Sequence, residues 1–172
     1  MRKAKVPVVP GTKEPVYTVE QALEAVKEIG FPVMIKASAG GGGKGMRVAG
    51  NEQEFAKLFE TAQQESVHSF SDNTMYLERF VENPRHVEVQ ILADKYGNVV
   101  HLGERDCSVQ RRHQKMIEES PCIAISDDLR KKMGETAVRA AKAAGYESAG
   151  TIEFLLNQSG EFYFMEMNTR IQ

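Results

Sequence analysis

The sequence has little cysteine, little excess charge of either sign and no long apolar run, and each shortage excludes a class of protein. Its two cysteines, Cys107 and Cys122, lack C-x-x-C spacing and a partner cluster, so neither a zinc site nor a disulfide framework is predicted. The formal net charge of −2 gives no bulk attraction to nucleic acid. No apolar stretch approaches the roughly 20 residues that span a bilayer, so a membrane protein is not predicted.

The first residues are basic, but the apolar segment of a signal peptide does not follow them. Residues 1–5 read MRKAK and residues 6–10 read VPVVP. We therefore expect a cytosolic protein. With 172 residues, of which 41% are hydrophobic and 27% charged, the chain suffices for one domain or for two small lobes that share a site.

Capping signals and helical periodicity predict three helices. One follows the capping box of residues 18–21, one follows Asn51 and precedes a polar loop at residues 66–73, and one runs between Ser126 and Gly145.

Alternating polar and apolar residues predict a mainly antiparallel second half. The predicted strands are residues 75–81, 86–92, 98–103, 116–119, 151–156 and 161–167. With the helices they define an α+β fold, with a small lobe at residues 1–82 and a second lobe at residues 83–172. The turn at residues 82–85 is the expected hinge.

A run of four glycines, flanked by lysines, is the most informative feature. Residues 36–48 read KASAGGGGKGMRV. Glycine permits positive φ and leaves backbone N–H groups bare, so such a loop can wrap closely around an anion. Lys36 and Lys44 add positive charge. We predict a strand–loop–strand flap that covers the phosphates of a nucleotide.

Three other interpretations of this loop are weaker. A Walker A loop needs Ser or Thr after Lys44, where Gly45 stands. The pattern G-x-G-x-x-G is present at Gly40, Gly42 and Gly45, but a helix must follow it, and the segment before the break at Gly50 is too short for one. A flexible linker remains the third alternative.

Oxygen-bearing side chains in the last predicted hairpin form a second candidate site. If the strand continues, Glu166, Asn168 and Arg170 share one face, and Glu153 joins them if the connecting turn has an even number of residues. Two carboxylates and an amide oxygen suit Mg²⁺ or Mn²⁺. The alternative is a set of solvated polar residues on the outer face of the sheet.

The polar segment at residues 104–115, ERDCSVQRRHQK, is the third candidate. Its density of cations suits a pocket for a small anionic substrate. A solvated basic patch or a nucleic-acid contact are the alternatives. Within and near it we expect Cys107 to be a small buried residue, His86 to be structural and His113 to contact a ligand.

Four segments together resemble biotin carboxylase, the ATP-grasp component of acetyl-CoA carboxylase and related biotin-dependent carboxylases. They are residues 36–48, 82–88 (ENPRHVE), 104–115 and 164–172 (FMEMNTRIQ). The resemblance implies an ATP-grasp fold and ATP-dependent carboxylation of biotin. Bicarbonate attacks the γ-phosphate of ATP to give carboxyphosphate, whose CO₂ passes to N1 of biotin on a carrier domain.

The resemblance also implies roles for individual residues. The residues that it implies bind the nucleotide are Lys36, Gly42, Gly43, Glu78, Arg79, Phe80, Val81, His86, Gln110, His113, Glu153, Leu155 and Glu166. Its ligands for Mg²⁺ or Mn²⁺ are Glu153, Glu166 and Asn168. Its bicarbonate-binding residues are Lys115, Arg170 and Gln172, of which Arg170 is the family's catalytic residue. The implied partners are ATP, bicarbonate, the biotin carrier domain and the remaining biotin carboxylase domains.

The sequence departs from the family pattern in three respects. Ala39 stands where a further glycine is often found. Gln172 is not followed by the Val-Glu-His that carries the expected base, and both an N-terminal Rossmann-like domain and a C-terminal remainder are missing. We therefore expect a fragment with little or no carboxylation of its own. A nucleotide-binding module without turnover is one rival, and an ATP-grasp ligase of the carbamoyl-phosphate synthetase type is another, although residues 111–115 and 168–172 argue against the latter.

Overall fold

A computed structural model describes residues 1–40, 45–112 and 114–172. The predicted site residues Gly42, Gly43 and His113 lie outside them. The chain forms two compact units. The glycine-loop unit is Val9–Phe80, and the five-stranded unit combines Met1–Val8 with Val81–Gln172. No helix among the described residues is both long and apolar enough to cross a bilayer.

The glycine-loop unit packs two helices against a three-stranded sheet. The helices are α1 (Val19–Ile29) and α2 (Glu52–Phe70), and the strands are β1 (Val33–Ala37), β2 (Met46–Ala49) and β3 (Met75–Arg79), in the order β2-β1-β3. The antiparallel pairing of β1 with β2 confirms the strands predicted on either side of the glycine loop. The core includes Phe55, Phe59, Ile35 and Leu77, which are all fully buried.

The side chains of Thr18 and Asn51 begin the two helices as predicted. Each accepts a hydrogen bond from the backbone N–H three residues later, which satisfies a donor that the helix leaves unpaired. The predicted polar loop at residues 66–73 is wrong in its first part, because α2 continues to Phe70. Ser66 is buried on the same face as Phe55, Phe59 and Ala62, so it extends the helical periodicity despite its polarity.

The five-stranded unit is an antiparallel sheet with a helix on one face. Its strands are β4 (Arg85–Ala93), β5 (Val99–Arg111), β6 (Gln114–Glu119), β7 (Ser148–Leu156) and β8 (Phe162–Asn168), in the order β6-β5-β4-β7-β8. The helix, α3 (Asp127–Ala143), packs on β5, β4 and β7. Val87, Val89 and Ile91 of β4 lie in this core with Ile152 and Phe154 of β7. The alternate residues of β4 therefore face away from the core.

Two boundaries differ from those expected. Met1–Val8 were predicted in the small lobe but belong to the five-stranded unit, because Val6 lies in its core and Val8 pairs with Phe164 of β8. Strand β8 ends at Asn168, where its partner in β7 is Thr151, so Arg170 lies beyond the ladder instead of continuing the face of Glu166 and Asn168.

Gly134 gives α3 its close approach to β5. A Cβ at this position would lie 2.5 to 2.7 Å from three atoms of the His101 ring. We expect Gly134→Ala to lower the free energy of unfolding by about 1 kcal/mol, because overpacking of about 1–3 kcal/mol outweighs the better helix propensity of alanine. Urea unfolding of Gly134→Ala with and without His101→Ala checks this. A loss of stability that persists without the His101 ring would contradict the explanation.

Candidate functional site

The face of the sheet opposite α3 gathers polar side chains from β4, β7 and β8. Glu88 lies opposite Glu153, Glu153 lies opposite Glu166, and Thr151 lies opposite Asn168. Residues paired across antiparallel strands project to the same face. Glu153 and Glu166 therefore share a face as expected, but not for the expected reason. Five residues, 157–161, connect the two strands, and the register shift after Glu153 supplies the offset that an even-numbered turn would have given.

Glu153 is the most heavily hydrogen-bonded carboxylate on this face, and its side chain is only 2% exposed. Lys115 Nζ lies 2.6 Å from Oε1, His86 Nε2 contacts Oε2, and the Asn168 amide also donates to Oε1. Burial by itself raises the pKa of Glu153, but the hydrogen bonds from His86 and Lys115, together with the charge of Lys115, outweigh it and lower the pKa to about 2. Glu153 therefore carries a negative charge at neutral pH.

Glu88 is a second buried carboxylate, and it was not among the predicted site residues. It is fully buried, with Oε1 2.5 Å from Arg105 Nε and Oε2 2.6 Å from Lys115 Nζ. Lys115 thus joins Glu88 to Glu153. Burial lowers the pKa of Lys115, but the two carboxylates outweigh this and raise it above its usual value. The signal was present in the sequence, since Glu88 follows His86 by two residues in an alternating strand.

The remaining predicted residues of this unit lie beside His86, on β8 or beyond the end of β8. Leu155 is opposite His86 on β7, and Gln110 contacts the His86 ring. Glu166 is exposed. Beyond β8, Arg170 Nη1 donates to Gln172 Oε1 at 2.5 Å, and Gln172 Nε2 donates to Glu118 Oε1 at 3.1 Å.

Cys107 is fully buried and free, as expected for a small structural residue. Burial, with a further contribution from the Glu88 charge, raises the pKa of Cys107 to about 12. A thiol this hard to deprotonate is a poor nucleophile at neutral pH.

In the glycine-loop unit, Lys36 and Glu78 form an ion pair on the outward face of the β1–β3 sheet, with each side chain about one-third exposed (35% and 34%). Backbone hydrogen bonds hold the end of β3. Arg79 N–H donates to Pro10 O, and Phe80 N–H donates to Pro32 O. Val81, the last of the four residues predicted beside adenine, belongs to the five-stranded unit.

Residues 1–172 match the family model described as "Carbamoyl-phosphate synthase L chain, ATP binding domain". The match covers the whole chain, so the chain belongs to this family. Its fold is accordingly that of an ATP-grasp protein.

Within the family the chain is similar to biotin carboxylases along its entire length. It is 60% identical to the biotin carboxylase of Nostoc sp. over 172 residues, which are 38% of that protein. It is 58% identical to the chloroplastic biotin carboxylase of Arabidopsis thaliana over 172 residues, or 32% of that protein. The chain therefore spans about a third of the length of these relatives.

Two solved structures extend the likeness to three dimensions. A biotin carboxylase complex with β,γ-ATP from Campylobacter jejuni superimposes with a TM-score of 0.89 at 54% identity, covering 99% of this chain and 38% of that one. The biotin carboxylase domain of the Hydrogenobacter thermophilus 2-oxoglutarate carboxylase, in complex with MgADP, ADP and bicarbonate, gives 0.87 at 51% identity with the same coverage. The expected α+β ATP-grasp fold is confirmed.

Proposed function

We propose that the chain takes part in ATP-dependent carboxylation of biotin by bicarbonate, as a segment of a longer protein. The observation that carries this proposal is the cluster in which Lys115 joins the buried carboxylates Glu88 and Glu153, beside Glu166 and Asn168. The names of the similar proteins, and the MgADP and bicarbonate bound by one of them, support it.

The residues on β7 and β8 fit a magnesium ion. Glu153 and Glu166 are cross-strand partners, and the amide of Asn168 lies close enough to bond Glu153. Two carboxylates with an amide oxygen form the hard-oxygen donor set that Mg²⁺ or Mn²⁺ prefers. The ion would neutralise charge on the phosphate oxygens during phosphoryl transfer. The described residues therefore suit the implied metal.

Lys115, Arg170 and Gln172 are the proposed bicarbonate-binding residues, with Arg170 as the catalytic one. Lys115 has two carboxylate partners and three N–H donors, which leaves one donor for an anion. Arg170 offers a planar, permanently charged fork that matches a carboxylate-like anion. Bicarbonate held in this way is the nucleophile toward the γ-phosphate of ATP, and these cations stabilise the charge that develops.

The proposed nucleotide-binding residues are those that the resemblance to biotin carboxylase implies. Lys36 would bind phosphate oxygens, and Gly42 and Gly43 would cover them. Glu78, Arg79, Phe80 and Val81 would lie beside the adenine, while His86, Gln110, His113 and Leu155 would contact other parts of the nucleotide.

The proposed partners are a biotin carrier domain and the remaining biotin carboxylase domains. We also propose a role in fatty acid synthesis. A cytoplasmic location stays a prediction.

Binding of Mg²⁺·ATP to this chain, measured by calorimetry, tests the proposal directly. We expect binding by the native sequence and at least a tenfold loss of affinity in Glu166→Ala, because a metal ligand is removed. Glu135→Ala, which removes an exposed carboxylate from α3, is the matched control and should bind as the native sequence does.

Two outcomes would count against the proposal. If the folded chain bound no Mg²⁺·ATP, the proposal that it contributes a nucleotide site would be wrong. Equal losses of affinity in Glu166→Ala and Glu135→Ala would exclude the metal site on β7 and β8. Adding, as a separately expressed protein, the segments that the longer relatives have outside the matched region then tests turnover. Biotin-dependent ATP hydrolysis distinguishes a biotin carboxylase from a ligase of the carbamoyl-phosphate synthetase type, which would not respond to biotin.

A further inference from the structure

The side-chain amide of Gln110 bonds two groups of the protein at once. Its Nε2 lies 2.8 Å from the backbone carbonyl oxygen of Cys107 and 2.6 Å from Nδ1 of His86. A backbone carbonyl can only accept a hydrogen bond, so the NH₂ group of the amide must face it. This contact fixes which way round the amide lies, and it points the second N–H of the same group at the His86 ring.

The direction of that second hydrogen bond determines the role of each His86 nitrogen. Because Gln110 donates, Nδ1 must accept and can carry no proton. In such an imidazole the other nitrogen, Nε2, is the donor. Nε2 contacts Oε2 of Glu153, and this carboxylate can accept a hydrogen bond from Nε2–H. Both hydrogen bonds are therefore donated in the same direction: the Gln110 amide donates to the His86 ring, and the ring donates to Glu153.

The backbone of His86 is anchored separately from its ring. Its N–H donates to Ser108 Oγ at 3.0 Å, and the Ser108 hydroxyl in turn bonds Asp106. The His86 side chain is 14% exposed. A ring held at its backbone and at both nitrogens has little freedom to rotate.

We propose that Gln110 is a positioning residue that fixes the Nε2–H tautomer of His86 and, through it, the orientation of the Glu153 carboxylate. The other tautomer would turn an N–H of the ring toward the NH₂ group of Gln110 and a lone pair toward the carboxylate. Both contacts would then be repulsive. The consequence for metal binding rests on the proposed function, in which Glu153 is a metal ligand, whereas the tautomer itself does not.

The tautomer can be read directly by ¹⁵N NMR of the whole chain at neutral pH. Protonated and unprotonated imidazole nitrogens have well separated ¹⁵N shifts, and a His86→Gln variant assigns the signals. For the native sequence we expect an unprotonated Nδ1 and a protonated Nε2. Gln110→Glu keeps the shape of the side chain but replaces the NH₂ donor with an acceptor, so it should move a proton onto Nδ1. Gln158→Glu, in the exposed turn after β7, is the matched control and should leave the His86 signals unchanged.

Metal-dependent binding provides the second readout. With the fold intact by circular dichroism, Gln110→Glu should weaken the binding of Mn²⁺ alone roughly tenfold or more, the size of one hydrogen bond to a charged group. Nucleotide is left out of this measurement because Gln110 is itself a proposed nucleotide contact. Gln158→Glu should not change it.

A protonated Nδ1 in the native chain would overturn the inference, even if the variant fails to fold. So would an unprotonated Nδ1 in folded Gln110→Glu. If the native chain shows the expected tautomer but binds no Mg²⁺·ATP, the proposed function fails and the role of Gln110 in setting the tautomer stands. If it binds Mg²⁺·ATP but carries the proton on Nδ1, only the inference fails.

Discussion

Replacing Lys115 with methionine is expected to destabilise the chain by about 3–5 kcal/mol, the cost of removing one partner from a buried ion pair. The side chains of Glu88 and Glu153 are 0% and 2% exposed, and Lys115 bonds both of them at 2.6 Å. Methionine preserves much of the length and volume of lysine but has no charge. Two buried carboxylates would then share fewer compensating donors. Urea unfolding followed by circular dichroism measures the loss.

Lys27→Met is the matched control for this substitution. Lys27 also pairs with a glutamate, Glu24, but the two side chains are 71% and 74% exposed. Solvent screens such a pair, so its removal should leave the unfolding midpoint nearly unchanged. If the two lysine substitutions lowered the free energy of unfolding equally, burial of the Lys115 ion pairs would not explain their contribution to stability.

A second substitution separates charge from packing. In a Glu153→Gln background, Lys115→Met deprives one buried carboxylate of its lysine partner instead of two. The loss caused by Lys115→Met should therefore be smaller in that background than in the native sequence, as a double-mutant cycle would show. An identical loss in both backgrounds would mean that Lys115 stabilises the fold through its aliphatic chain.

Much of the fold was predictable because its local signals agree with its packing. The alternation at residues 86–92 places one set of side chains in the core and the other on the polar face, and β4 follows it. The capping residues at 18, 51 and 126 begin the three helices. The signals failed where packing outweighs local polarity. Ser66 is polar but buried, and α2 continues through it.

The candidate site was predictable in its types of residue but not in its connections. Spacing along one strand indicated that Glu166 and Asn168 share a face, but the position of Glu153 opposite Glu166 depends on a register shift that the sequence did not predict. Glu88 was overlooked because a lone glutamate in an alternating strand normally faces solvent. Glu88 can be buried because Arg105 and Lys115 bond to it from β5 and β6. The order of the strands, which brings these residues together, cannot be deduced from any single segment of the sequence.

The acid dependence of stability is the second large effect that the structure predicts. The pKa of Glu153 is about 2 in the folded chain against 4.5 for an ordinary glutamate. A carboxyl with a lowered folded pKa stabilises the fold fully above its unfolded pKa, and the contribution disappears as pH falls from about 4.5 toward 2. The difference corresponds to about 3 kcal/mol. Unfolding free energies should therefore fall steeply over this interval.

Glu153→Gln tests which carboxyl is responsible. At pH 7 the variant should be less stable than the native sequence by about 3 kcal/mol, and the difference should shrink as pH approaches 2, since the native carboxyl is then becoming protonated as well. Glu104 and Asp106 also have lowered pKa values, because their hydrogen bonds to Arg130 and Ser108 outweigh burial. The variant should thus retain part of the acid dependence.

The exposed carboxyl of Glu147 provides the control for this series. Glu147→Gln should follow the native curve of stability against pH throughout. A difference between Glu153→Gln and the native chain that stays constant from pH 7 to pH 2.5 would show that the substitution acts through shape and not through charge. In that case Lys115 and His86 could not be the cause of the low pKa, because their stabilisation of Glu153 exists only while its carboxylate is ionised.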